Sequence, residues 1–188
     1  MNLADKITSL RIVLVPVFVS LLLYADNISW ALNAAVFIFF IAILSDFFDG
    51  LAARIKKEKS DIGQILDPLA DKLLMLSSFI CLYALRSSLP LSYKLPLGVL
   101  LIVVGRDVVL GVGLLALHIL RREVSINPSI WGKLTTFFQM MTIFTLLINS
   151  AIFLYVWKLA AIFTLISGVD YFIRGVKATN GDSKLTNI

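Results

Sequence analysis

Six apolar runs, at residues 11–26, 29–54, 63–86, 94–120, 130–151 and 153–175, fill most of this chain and leave only short polar connections between them. A bilayer-spanning helix needs about 20 predominantly apolar residues. Inside hydrocarbon every backbone N–H and C=O must be satisfied within the segment, which restricts such runs to helices or closed barrels. The runs are continuous rather than alternating, so the helical solution is expected. Charged residues make up only 15% of the chain, against about 25% in soluble domains. The expected fold class is therefore an all-α integral membrane protein with six transmembrane helices. It forms one domain over residues 1–177, followed by a polar tail at 178–188. The first run is short and contains Pro16, which can kink a helix. The connections at 25–29 and 149–153 are short enough for antiparallel hairpins. The N-terminal run lacks a small-x-small cleavage site and reads as an anchor that is retained. Cys81, the single cysteine, lies in an apolar run and reads as a packing residue.

The net charge of +5 is carried by basic residues that punctuate the apolar runs. They form no continuous stripe, so topology is the better reading than nucleic-acid binding. With six spans both termini share one side, and twelve of the 17 lysines and arginines fall there. Arg86, Lys94 and Lys158 fall on the other side, and Lys72 and Arg106 lie within spans. Positive charge collects on the cytoplasmic side. Both termini and the loop at 55–62 are thus expected in the cytoplasm of a multi-pass protein of the cell's inner membrane. Trp30, Trp131 and Trp157 all fall near ends of the expected spans, where an aromatic belt sits.

Against this background the stretch SDFFDGLAARIKKEKSDIGQILDPLADK, residues 45–72, stands out. Asp46 and Asp49 are spaced i,i+3 near the cytoplasmic end of the second run. Asp67 and Asp71 are spaced i,i+4 near the cytoplasmic start of the third. Each pair occupies one helix face, and the short loop between the runs lets the two faces meet. Four ionised carboxylates together repel one another, and a charge near the membrane core costs about 3 kcal/mol even on the gentler scales. A bound divalent cation compensates. All-oxygen donors with no His or Cys nearby select a hard ion such as Mg²⁺, Mn²⁺ or Ca²⁺, and four carboxylates suffice for two ions, as in two-metal phosphoryl-transfer sites. Gly50 and Gly63 suggest close approach of backbone or ligand, Ala53 is small, and Arg54 is suited to bidentate phosphate binding. Plain surface charges are the competing account for one such aspartate. An ion-coupled transporter is the competing account for the whole set, but no inverted repeat accompanies it.

Read in order, Asp46-x-x-Asp49-Gly50-x-x-Ala53-Arg54, eight residues, Gly63-x-x-x-Asp67-x-x-x-Asp71 resembles the complete signature of the CDP-alcohol phosphotransferases. The resemblance covers the whole chain. It implies a transmembrane helical enzyme, often a homodimer, with its active site near the cytoplasmic face. Such enzymes displace CMP from a CDP-linked donor by attack of an alcohol, with two divalent cations, Mg²⁺ or Mn²⁺. By position, Asp46, Asp49, Asp67 and Asp71 are then the metal ligands, and Asp71 is also the catalytic base. Asp46, Asp49, Gly50, Ala53, Arg54, Gly63 and Asp67 make up the CDP-binding set.

Within the family, NLADKITSLRIVLVPVF and LISGVDYFIRG resemble the bacterial members that take glycerol 3-phosphate as acceptor. The resemblance implies CDP-diacylglycerol as donor and the phosphatidylglycerophosphate synthase reaction. Gly105-Arg106-Asp107 departs from the Arg-Glu usual there and is commoner in cardiolipin synthases of the CDP-alcohol type, the alternative, which use phosphatidylglycerol. A small phosphorylated alcohol needs fixed positive charge. Arg106, Lys133, Lys72, Arg11, Thr8 and Arg174 are the acceptor-binding candidates. Each basic residue also has an ordinary reading: a pair with Asp107 for Arg106, snorkelling for Lys72 and Arg174, a topology charge for Lys133, an interfacial anchor for Arg11. Thr135, Thr136 and Gln139 either bind ligand or hold helices together.

Overall fold

The computed structural model describes the backbone of residues 3–56, 61–119 and 129–179, and within these the side chains of residues 11–45, 70–113 and 129–174. The described residues form six helices and no strand: α1 (Leu3–Tyr24), α2 (Ala31–Lys56), α3 (Asp61–Ala84), α4 (Leu97–Ile119), α5 (Ile130–Leu147) and α6 (Phe153–Thr179). Each contains one of the six apolar runs or most of it. The largest difference is at the start, where α1 begins at Leu3 and carries Thr8 and Arg11 inside the helix. α1 also continues through Pro16, and α3 through Pro68. Among the described residues, one segment, Phe153–Arg174, is both long and apolar enough to cross a membrane; Arg11–Tyr24 and Ala31–Ser45 are shorter apolar stretches.

α5 stops four residues before the expected boundary, for a local reason. Asn149 takes a left-handed conformation with φ of 54°, which asparagine tolerates better than most residues. The chain then turns back on the helix end. The Asn149 amide donates to the Leu146 carbonyl and the Ser150 amide to the Thr145 carbonyl, both at 3.0 Å. This pair of bonds is a Schellman closure and satisfies carbonyls that the helix end would otherwise strand. Asn149 also accepts from the Ser92 amide through Oδ1 at 2.9 Å and donates through Nδ2 to Ser92 Oγ at 3.1 Å. The α3–α4 and α5–α6 connections are thereby clasped.

The chain divides into two compact units. The first comprises residues 1–96 and 140–153, the second residues 97–139 and 154–188. In the first unit α1 packs against both α2 and α3. The α2 face towards this core carries Ala31, Ala35, Phe39 and Ala42, all fully buried, at helical spacing. Small residues allow close helix approach, and Phe39 fills the remaining space against Phe18 of α1, with ring centroids 5.6 Å apart. In the second unit α6 is joined to α5 by stacked rings, Phe138 on Phe163 at 4.8 Å, and by buried polar bonds. Thr135 Oγ1 lies 2.8 Å from the Phe163 carbonyl of α6, and Gln139 Nε2 donates to Thr164 Oγ1 at 3.0 Å. Thr136 turns back to the Gly132 carbonyl of its own helix at 3.2 Å. Gln139 therefore bonds across the helices, and Thr135 lies between the Phe163 carbonyl and, at 2.9 Å, the Trp131 carbonyl of its own helix, whereas Thr136 bonds only within α5.

Candidate active site

The signature occupies two unbroken helices. α2 carries Asp46, Asp49, Gly50, Ala53 and Arg54, and α3 carries Gly63, Asp67 and Asp71. Helical register at 100° per residue places Asp46 and Asp49 about 60° apart around α2, and Asp67 and Asp71 about 40° apart around α3. Both helices pack on α1. Asp71 is half-buried, with Oδ1 out of contact with solvent. The side chains of Asp46, Asp49, Gly50, Ala53, Arg54, Gly63 and Asp67, and of the acceptor candidate Thr8, lie outside the described residues.

Two acceptor candidates belong to the first unit. Arg11 is only 1% exposed and is among the largest fully buried side chains. An interfacial anchor keeps its charged head in water, so the anchor reading of Arg11 fails. A guanidinium sequestered this completely needs partners, and Arg11 has one. It sits on the helix that touches both aspartate-bearing helices. Lys72, next to Asp71, is half-buried and also partnered.

The other three candidates belong to the second unit, where Tyr171, a residue that sequence reasoning passed over, lies beside Arg106 and Gly132. Arg106 of α4 places its guanidinium carbon 5.5 Å from the centre of the Tyr171 ring. Gly132, the residue before Lys133 on α5, lies so close to the same tyrosine that a β-carbon there would stand 3.1 Å from its hydroxyl oxygen. Arg174 follows Tyr171 by three residues on α6. The signal was present in the sequence. Ser167, Asp170, Tyr171 and Arg174 fall at i, i+3, i+4 and i+7, a polar stripe on an otherwise apolar helix.

The electrostatics of this cluster differ from the expected pool of free positive charge. Arg106 Nη1 donates to Asp107 Oδ1 at 2.7 Å, with side-chain exposures of 9% and 6%. Arg174 Nε donates to Asp170 Oδ1 at 3.0 Å. Two of the three cations therefore arrive already compensated, while Lys133 is exposed and makes no ion pair among the described residues. The ordinary reading of Arg106, pairing with Asp107, is correct but incomplete. Nη2 also donates to Ser167 Oγ at 2.9 Å, and Nε is buried with no acceptor among the described residues. A guanidinium carries five N–H donors, so this one retains donors beyond its two bonds.

A model of the family described as CDP-alcohol phosphatidyltransferase matches residues 1–169. The chain is 36% identical to the probable phosphatidylglycerophosphate synthase of Mycobacterium tuberculosis, over 96% of this chain and 84% of that protein. It is 30% identical to the CDP-diacylglycerol–glycerol-3-phosphate 3-phosphatidyltransferase of Aquifex aeolicus, over 94% and 97% of the two chains. It is 29% identical to the protein of the same name from Bacillus subtilis, over 94% and 96%.

Proposed function

The chain belongs to the CDP-alcohol phosphatidyltransferase family, and from that premise we propose that it is an enzyme that transfers the phosphatidyl group of CDP-diacylglycerol to sn-glycerol 3-phosphate, releasing CMP. The observation that carries the acceptor is the agreement of relatives 30–36% identical over nearly the whole chain, whose names state this reaction. The reaction supplies a precursor of anionic phospholipid.

The residues fit a pair of divalent cations, by the chemistry of the donors. The signature offers carboxylates only, as two same-face pairs on two unbroken helices that share α1 as neighbour. Asp46, Asp49, Asp67 and Asp71 would hold Mg²⁺ or Mn²⁺. When bound, the cations neutralise the pyrophosphate and stabilise charge on the departing CMP. Gly50, Ala53 and Gly63 leave room for the cytidine diphosphate group, and Arg54 clamps its phosphate. Asp71 accepts the proton of the attacking hydroxyl. The hydroxyl oxygen forms a bond to the β-phosphorus, and the bond from that phosphorus to the CMP oxygen breaks. Arg106, Lys133 and Arg174 bind the acceptor's phosphate, with Lys72, Arg11 and Thr8 as further candidates from the signature's own unit.

α1, α2, α3, α4 and α6 contain 22 to 27 residues, or about 33 to 40 Å at 1.5 Å per residue, enough for a hydrocarbon core of about 30 Å; α5, with 18 residues, reaches about 27 Å. Large apolar side chains face outwards, among them Phe37, Leu101 and Phe172 at 61–65% exposure. Helices apolar on the outside as well as the inside suit a lipid environment. These features support six spans in the inner membrane. The charge bias supports cytoplasmic termini and a cytoplasmic active site. The homodimer rests on the family resemblance.

The test is an acceptor panel with purified protein: glycerol 3-phosphate, phosphatidylglycerol, serine and inositol phosphate, each with CDP-diacylglycerol. Phosphatidylglycerophosphate and CMP from the first alone support the reading. Product only from phosphatidylglycerol replaces it with cardiolipin synthesis. Absence of any CMP release returns the transporter reading.

A further inference from the structure

We infer that Ser167 and Tyr171 are positioning residues that fix the Arg106 guanidinium in the orientation needed to receive the acceptor's phosphate. This rests on the reading of Arg106 as an acceptor-binding residue.

An arginine on a flexible stem must be ordered when an anion binds, and that ordering weakens binding. Arg106 is ordered beforehand by three contacts. Asp107 takes Nη1 at 2.7 Å, but it is the adjacent residue on α4 and moves with it. Ser167, 61 residues further along the chain, takes Nη2 at 2.9 Å from α6. The Tyr171 ring, one helical turn after Ser167, lies 5.5 Å from the guanidinium carbon, within cation–π range. Together Ser167 and Tyr171 tie the guanidinium to α6, the helix that also carries Arg174. At Gly168, between them in sequence, a β-carbon would lie 3.6 Å from Arg106 Cγ, an ordinary packing contact that places the Arg106 stem against α6.

The chemistry of the held group also points to an anionic ligand. Its side chain is nine-tenths buried, and Nε has no acceptor among the described residues. Buried donors left open are uncommon. A phosphate oxygen satisfies such a donor, and Arg forks match phosphate geometry. Asp107 cancels the charge, so orientation rather than net charge is what Arg106 contributes. Lys133, exposed on α5 next to Gly132, adds the uncompensated charge.

The test compares Arg106→Lys, Ser167→Ala, Ser167→Thr, Tyr171→Leu and Tyr171→Phe with the parent enzyme. The full chain is assayed in detergent–lipid micelles, with separate KM values for glycerol 3-phosphate and CDP-diacylglycerol. A lost hydrogen bond to a charged group corresponds to roughly tenfold in binding. Ser167→Ala and Tyr171→Leu are expected to raise KM for glycerol 3-phosphate about tenfold, with kcat and KM for CDP-diacylglycerol within about twofold. Ser167→Thr, which keeps the hydroxyl, and Tyr171→Phe, which keeps the ring, are expected to restore the parent KM. If Arg106→Lys raises this KM and Ser167→Ala and Tyr171→Leu do not, the positioning role is wrong and the acceptor reading stands. If Arg106→Lys leaves the KM unchanged, the acceptor reading of Arg106 fails and the positioning role with it. A uniform loss of kcat and both affinities, unrescued by Thr or Phe, marks Ser167 and Tyr171 as packing residues and overturns the inference.

Discussion

Gln139 of α5 donates from Nε2 to Thr164 Oγ1 of α6 at 3.0 Å, with both residues buried. Thr164 Oγ1 donates its own hydrogen bond to the Ala160 carbonyl at 2.6 Å, so its lone pair is available to the amide. Interhelical bonds of this kind contribute about 0.6 to 1.7 kcal/mol in membrane proteins. Gln139→Leu and Thr164→Val are each expected to lower the unfolding temperature in detergent. Because they remove the same bond, the double variant should lose less than the sum, with a coupling of about 1 kcal/mol. Strict additivity would show that the bond contributes nothing.

Two glycines in the same unit should respond oppositely to alanine. At Gly132 a β-carbon meets the Tyr171 hydroxyl at 3.1 Å, and at Gly168 it meets the Arg106 stem at 3.6 Å. The first contact forces Tyr171 to move by a few tenths of an ångström, whereas the second is ordinary packing. Alanine is otherwise about 1 kcal/mol better than glycine in a helix. Gly168→Ala is expected to hold or raise the unfolding temperature. Gly132→Ala is expected to forfeit that gain and to raise KM for glycerol 3-phosphate. Thermal unfolding and steady-state kinetics on the two variants check this contrast.

Asp71→Asn keeps size and polarity but removes the proton acceptor. General base catalysis contributes about 10²- to 10⁴-fold, and kcat is expected to fall by that order. Donor affinity and unfolding temperature should change little by comparison. Retained turnover in Asp71→Asn would falsify the assignment of this residue as base.

If the carboxylate quartet holds the cations as proposed, activity is conditional on a hard cation. Exhaustive treatment with a chelator is expected to abolish CMP release, and Mg²⁺ or Mn²⁺ to restore it. Asp46→Asn, Asp49→Asn and Asp67→Asn should each raise the metal concentration required or eliminate turnover. Full activity after chelation, checked by elemental analysis of the protein, contradicts the metal requirement.

Legibility in the sequence followed the range of the interactions involved. Helix number was readable because apolar runs of span length have few alternatives in lipid, and α2 to α6 contain or nearly match theirs. The end of α5 was missed because a left-handed Asn149 and its closure are set by a few local bonds that hydropathy does not register. The signature was readable because its spacing is helical, and α2 and α3 run unbroken through it. The second unit was less so. Lys133, Arg106 and Arg174 were recognisable as charges, but the pairing of Arg106 with Asp107 and of Arg174 with Asp170 depends on side-chain conformation. The role of Tyr171 depends on three helices meeting, and sequence separation hides that. Arg11 shows the same limit. Its position near the start of an apolar run is compatible with either an anchor or a core residue, and only packing distinguishes them.

The most direct test of the account is the stoichiometry of CMP release by the purified chain with CDP-diacylglycerol, Mg²⁺ or Mn²⁺, and glycerol 3-phosphate. The expected result is one CMP per phosphatidylglycerophosphate formed, with no release when the acceptor is omitted or when Asp71 is replaced by Asn. Release that ignores glycerol 3-phosphate, or that appears only with phosphatidylglycerol, contradicts the account.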